Sequence, residues 1–192
     1  MIPNCHRVSP ASRLSLTRPD WKPAVPEVPL GGAERVVPEA IDLIRAGPDD
    51  LDALSSLVAE YHAFERIDMP EDRRRSALSR LLADRSLGEV WFVHDLEERI
   101  GYIAICFGYS IEFAGRDAFI DELFLKETVR GRGIGSLVIR EVTTQLASTG
   151  IAALHLEVDN HNFGAQRFYE RHRFQARRKY HLMSLDLTAR QP

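Results

Sequence analysis

Apolar positions recur along this chain with two different periods. Leu51, Leu54, Leu57, Val58 and Tyr61 follow the three-and-four spacing that puts side chains on one face of a helix. Asp49 or Asp50, just after Gly47-Pro48, is placed to cap that helix, which is expected to end near Glu65. A second stripe, Ala77, Leu78, Leu81 and Leu82, predicts a helix over 70–83. Arg73, Arg74 and Arg75 fall opposite that stripe and read as a solvated face.

From Glu89 the period shortens. Segments 90–94, 100–109 and 118–125 are rich in β-branched and aromatic residues and are bounded by glycine or charged turns, so each predicts a strand. A helix over 134–148, a strand over 153–158, a helix over 163–172 and a strand over 180–187 follow. Helices and strands alternate through this half, which predicts an α/β (α+β) fold with a mixed central sheet flanked by helices. No internal repeat interrupts the pattern.

The start of the chain has neither period. Seven of the ten prolines (Pro3, Pro10, Pro19, Pro23, Pro26, Pro29 and Pro38) precede residue 39. Proline lacks an N–H and disfavours helix in the residue before it, so no helix or central strand is expected there. Residues 1–35 are read as a flexible extension and 36–192 as one domain. Arg7, Arg13 and Arg18 among serines resemble a transit peptide, but no apolar core of a secretory signal accompanies them.

Composition changes little in this picture. With 192 residues, 44% hydrophobic and 28% charged, the chain can bury a core without disulfide staples. No apolar run is long enough to span a bilayer. Cys5 and Cys106 are far apart with no CxxC partner, which points to a reducing, cytoplasmic setting. A net charge of −3 favours neither nucleic acid nor a membrane surface as partner.

The chemistry concentrates at Arg130-Gly131-Arg132-Gly133-Ile134-Gly135, between the 118–125 strand and a helix with Ile134, Val138, Val142 and Leu146 on one face. Its glycines permit close backbone approach, and free N–H groups at a helix start favour an anion such as a pyrophosphate. No Gly-Lys-Ser/Thr follows, so this is not a Walker A loop. Ser136 stands where a dinucleotide fingerprint beginning at Gly131 needs its third glycine. The plainer reading, a glycine turn joining strand to helix, is open on this segment alone.

Arg/Gln-x-x-Gly-x-Gly/Ala after a strand is the acyl-CoA pyrophosphate motif of the GCN5-related N-acetyltransferase (GNAT) family, and Arg130–Gly135 resembles it at every fixed position. Leu156-Glu157-Val158 followed by Asn162, Ala165, Phe168 and Tyr169 resembles that family's strand and Asn-x-x-Ala-x-x-Phe-Tyr helix. Ile120–Leu125 is similar to its fourth strand. One position departs: the family places glycine four residues after the tyrosine, and here Arg173 stands there. A side chain in a left-handed cap costs roughly 1–2 kcal/mol, so a strained or rebuilt cap is expected.

The resemblance implies an acyl-CoA N-acyltransferase fold and an acetyl-CoA-dependent N-acetyltransferase in which a neutral amine attacks the thioester directly. It implies that Leu123, Phe124 and Leu125 contact the pantetheine arm and the acyl carbonyl through their main chain. Arg130, Gly131, Arg132, Gly133, Ile134, Gly135 and Ser136 would hold the pyrophosphate, and Asn162 the arm near the thioester. Tyr169, a phenol with an ordinary pKa near 10, would protonate the leaving thiolate.

Stripping an alkylammonium at pH 7 costs about 4–5 kcal/mol, so a carboxylate acting through water is expected to assist. Asp121, Glu122 and Glu157 are the candidates. Asp121 and Glu122 adjoin on one strand, so one of them at most faces a cleft. His155, Glu157 and Asp159 alternate as metal ligands could, but the chemistry needs no metal and half-burial accounts for the alternation. Cys106 has no paired histidine in evidence for a covalent route.

The acceptor is expected to be a small primary amine, polyamine-like compounds included, with a homodimer among the expected states. Two rivals stay open on the sequence. One is a non-catalytic acyl-CoA-binding module, the other an acetyltransferase acting on protein lysines or N-termini.

Overall fold

The computed structural model describes residues 40–187. The proposed extension, residues 1–35, lies outside the described residues. Two compact units account for what is described, one ending at Val158 and the other beginning at Asp159.

The first unit is built on a sheet whose strands lie in chain order: β1 (Asp42–Arg45), β2 (Gly88–Asp95), β3 (Glu98–Ser110), β4 (Gly115–Leu125) and β5 (Ala153–Leu156). The first three pairings are antiparallel and β4–β5 is parallel. β1 has no counterpart in the sequence reading. It is four residues long and mostly exposed, so no apolar period announces it. The α-helices of the unit are α1 (Leu51–Glu65), α2 (Glu71–Ala83) and α3 (Ile134–Ser148).

α1 and α2 pack on one face of the sheet. Leu54, Leu57, Val58, Leu78 and Leu82 meet Val90, Phe92, Tyr102, Ala104 and Phe124 in one buried cluster. Burying each large apolar side chain contributes about 1.5–3 kcal/mol. Strand alternation sends Ile103 and Ile105 to the opposite face, where they are fully buried too. The sheet is therefore covered on both faces. α3 buries Ile134, Val138, Val142 and Leu146 as its period requires, with Ile139 beside them.

Local details depart from expectation. Asp50 does not cap α1. Its carboxylate instead accepts the Gly47 N–H at 2.9 Å, and the chain enters the helix through a 3-10 turn at Pro48–Asp50. Ala77 is exposed, outside the stripe of Leu78 and Leu82. The arginine run is more than a solvated face: Arg75 pairs with Asp52 at 2.6 Å and Arg74 Nε donates to Ser55 Oγ at 3.3 Å, tying α2 to α1. Asp52 is largely solvated, so this ion pair adds little stability.

Two glycines fix strand spacing. A Cβ on Gly101 would collide with the Phe124 carbonyl, and one on Gly88 with the Ile105 carbonyl. No side-chain rearrangement relieves a clash with backbone.

The second unit contains α4 (Phe163–Arg171). Asn162 caps it, its Oδ1 accepting the Ala165 N–H at 3.0 Å. At the other end Arg173 has a left-handed backbone, φ 69°. Phe174 N–H donates to the Tyr169 carbonyl at 3.1 Å and Arg173 N–H to that of Glu170 at 2.9 Å. The Phe174 and Tyr169 rings meet at 5.5 Å. This is a complete Schellman cap, with arginine where glycine is usual. The expected strand over 180–187 does not form: these residues join no ladder, and Leu182, Met183, Leu185 and Leu187 are exposed. An alternating pattern supplies a face for a strand but not the neighbouring backbone that must bond it.

Gly101→Ala is expected to lower unfolding stability by about 3 kcal/mol, the upper range for overpacking, in urea titration. Arg173→Gly is expected to raise it by about 1 kcal/mol by relieving the left-handed arginine.

Candidate active site

The site begins where β4 and β5 part. Their ladder runs from Asp117↔Ala153 to Ile120↔Leu156, where β5 ends, while β4 continues through Asp121–Leu125. That stretch remains bonded to β3 on one edge and has no ladder partner in β5 on the other. Strand N–H and C=O groups left this way can bond an extended ligand.

A bulge lies at the parting point. Ile120 is paired with Ile105, but Glu122 is paired with Ala104, so Asp121 is an extra residue without a partner position in β3. In a regular strand Ile120 and Glu122 would share a face. The inserted residue puts them on opposite faces and turns Glu122 and Phe124 toward α1.

Glu122 is held there by two side chains. The Tyr102 hydroxyl donates to Oε2 at 2.7 Å, and His62 Nε2, from α1, lies 3.0 Å from Oε1. Burial, and next the Glu122 charge, drive the Tyr102 phenol far above its ordinary pKa, so it stays a donor. Tyr61, Tyr102 and Phe124 form an aromatic surround with ring centroids 6.1–6.5 Å apart. Glu157 is exposed just past the end of β5, and His155 stands 3.9 Å from Asp117 and against the Phe113 ring. Glu122 is thus fixed by side chains from two other elements, α1 and β3.

The sequence reading missed His62 and Tyr102. The usable signal for His62 was its place four residues after Val58, on the buried side of α1. Tyr102 sits fully buried inside an apolar strand, where a phenol must find an acceptor.

Past β4, Arg130 turns back. Its Nε donates to the Leu125 carbonyl at 2.8 Å, and its guanidinium lies over the Phe64 ring at 4.3 Å. Arg132 pairs with Asp95 at 3.4 Å. Both arginines thus anchor the loop to the sheet and to α1. Gly131 and Gly133 take left-handed conformations, φ 72° and 81°, and Gly133 is the N-cap of α3. Ser136 N–H donates back to the Gly133 carbonyl at 2.9 Å, but the N–H groups of residues 131–135 donate to no backbone carbonyl among the described residues. Those donors, with the positive end of the α3 dipole, fit a pyrophosphate.

In the second unit, Asn162 spends its side-chain oxygen on the α4 cap, which leaves the amide NH2 as the donor it offers a ligand. Tyr169 packs against Phe168 at 5.0 Å and Phe174 at 5.5 Å, and burial pushes its phenol up to about 12.

Comparison with known proteins now decides the family. The model of the Acetyltransferase (GNAT) family matches residues 52–174. The chain belongs to the GNAT family. It is 23% identical over 138 residues to a D-amino-acid N-acetyltransferase of Saccharomyces cerevisiae, covering 71% of this chain and 83% of that protein. It is 28% identical over 127 residues to a thialysine N-epsilon-acetyltransferase of Bos taurus, covering 59% and 72%. An integron cassette protein from the mobile metagenome of Cole Harbour Salt Marsh shares the fold, with TM-score 0.68, 24% identity and coverage of 81% and 95%.

This GNAT chain is therefore an acetyltransferase, and its mixed sheet with flanking helices is the fold the motifs implied. Acetyl-CoA is the family's usual acyl donor, and the open β4 edge and the 131–135 donors suit its arm and pyrophosphate. No helix among the described residues is long and apolar enough to cross a membrane.

Gly133→Val forces a branched side chain into a left-handed cap, and CoA affinity measured by calorimetry is expected to fall by about tenfold, or 1.4 kcal/mol.

Proposed function

We propose that this GNAT enzyme transfers the acetyl group of acetyl-CoA to the primary amine of a small molecule by direct attack. The observation that carries the reading is the bulged end of β4, where an edge without a β5 ladder partner and a clamped carboxylate occur together. The catalytic domain in this reading spans residues 36–192. The two relatives named for amino-acid-like substrates support a small amine; polyamine-like compounds belong to the same proposed acceptor class.

Acetyl-CoA supplies an acetyl group activated as a thioester. The main chain of Leu123, Phe124 and Leu125 bonds the arm and polarises the carbonyl. The backbone donors of Gly131–Gly135, together with Ser136, take the pyrophosphate, and Arg130 and Arg132 keep that loop in place. Asn162 contributes its amide NH2 to the arm. Glu122 accepts the proton that the ammonium must lose, directly or through water, with Asp121 beside it in the bulge and Glu157 the remaining carboxylate. Tyr169 returns a proton to the departing thiolate; with its phenol pushed up to about 12 it is fully protonated at neutral pH.

The test is acetyl-CoA-dependent thiol release against polyamines, amino acids of both hands, thialysine, aminoglycosides and short peptides. Release with a small amine and none with peptides is the expected result. Release with peptides alone would favour a protein acetyltransferase, and acetyl-CoA binding without release for any amine would favour a non-catalytic sensor. Tyr169→Phe is expected to lower kcat by about tenfold or more with little change in acetyl-CoA affinity. An unchanged kcat would remove Tyr169 as the acid.

A further inference from the structure

We propose that His62 is a positioning residue for acetyl transfer: from α1 its Nε2–H holds Oε1 of Glu122, opposite Tyr102 on Oε2, and so fixes the carboxylate that receives the amine proton. The inference rests on the reading of Glu122 as that proton acceptor.

Three observations carry it. The first is geometry. Glu122 carries one donor on each oxygen, at 3.0 and 2.7 Å, and the donors come from different elements, α1 and β3. A carboxylate pinned at both oxygens has one orientation, which is what proton transfer requires. The second is the direction of the His62 bond. A carboxylate able to take the amine proton can only accept hydrogen bonds, so in this reading Nε2 carries the hydrogen. The other ring nitrogen, Nδ1, is buried without a hydrogen-bond partner among the described residues. An imidazole kept at that disadvantage does more than fill space, because an apolar residue would fill it without orphaning a polar atom.

The third observation separates positioning from direct catalysis. The His62 side chain is 5% exposed and that of Glu122 12%, so the imidazole is the more enclosed of the two. The surrounding titratable groups are Glu122 and Asp121 on β4, Tyr102 on β3 and Tyr61 on α1, with Arg130 over the Phe64 and Phe124 rings. Within this set His62 is the α1 side chain that lies 3.0 Å from the Glu122 carboxylate.

The test compares His62→Leu, His62→Gln and Glu122→Gln with the wild-type enzyme, using spermidine, thialysine and D-alanine as acceptors. Glutamine can present an amide N–H where Nε2 stands; leucine cannot. His62→Leu is expected to lower kcat by about tenfold while the KM for acetyl-CoA changes by less than about twofold. The acid limb of its kcat/KM profile is expected to move to higher pH, because a carboxylate that loses a donor binds its proton more tightly. His62→Gln is expected to recover most of the lost kcat and the original limb.

Nitrogen-15 NMR of the histidine rings adds a readout independent of the acceptor. A slowly exchanging Nε2–H resonance of His62 is expected in the wild type and is expected to move in Glu122→Gln. Wild-type kcat and pH profile in His62→Leu, with Glu122→Gln impaired, would overturn the proposal. So would a His62→Gln enzyme as impaired as His62→Leu, or the absence of that resonance. Unchanged kcat in Glu122→Gln would instead overturn the underlying reading of Glu122. If His62→Leu fails to fold, the glutamine variant and the resonance still decide.

Discussion

The site depends on one extra residue. Asp121 enters β4 without a partner position in β3, and the alternation of the strand changes sense there. Upstream, Ile120 keeps the face of Ile105. Downstream, Glu122 and Phe124 take the face of Ala104 and Tyr102, which α1 and α2 cover. Bulges bend the strand that carries them and end pairing nearby. The β4–β5 ladder stops at Ile120, the residue before the bulge. The open backbone edge and the inward carboxylate therefore share one backbone irregularity.

The surroundings of that point are rigid for identifiable reasons. Gly101 lets β3 approach the Phe124 carbonyl, which no other residue type would permit. Phe124 packs with Tyr61 and Tyr102, so the strand is clamped by aromatic contacts just after the bulge. Arg130 closes the structure from the other side by bonding the last carbonyl of β4 and lying over Phe64. The arginine of the pyrophosphate motif acts here as a strut. The backbone N–H groups of residues 131–135 are fixed in place, and donors fixed this way cost no side-chain entropy on binding.

Arg173 gives the clearest case of a local conflict met by local compensation. Its left-handed backbone is unfavourable for a side chain, yet both Schellman hydrogen bonds form and the Phe174 ring packs on Tyr169. Burial of the Tyr169 phenol strengthens its hold on the proton. The segment over 180–187 shows the reverse, a strand-like pattern that local preference alone does not make into a strand.

Much was legible in the residues alone. Periodicity placed α1, α2, α3 and α4 and strands β2 to β5 to within a few residues, because each buries a continuous apolar face and such faces leave a periodic trace. Two motifs at fixed spacing identified the family, because close backbone approach and a helix-borne donor set demand particular residue types at particular positions. Three things were decided only by the folded chain. β1 forms because β2 offers an edge, not because its four residues prefer a strand. Glu122 is turned toward α1 by a bulge, and strand parity cannot register an inserted residue before the register is known. His62 meets Glu122 across 60 positions of sequence, and nothing local to either residue encodes that meeting. Short-range periodicity and backbone chemistry are properties of the sequence; the choice among equivalent carboxylates belongs to packing, because it depends on which donors arrive from elsewhere.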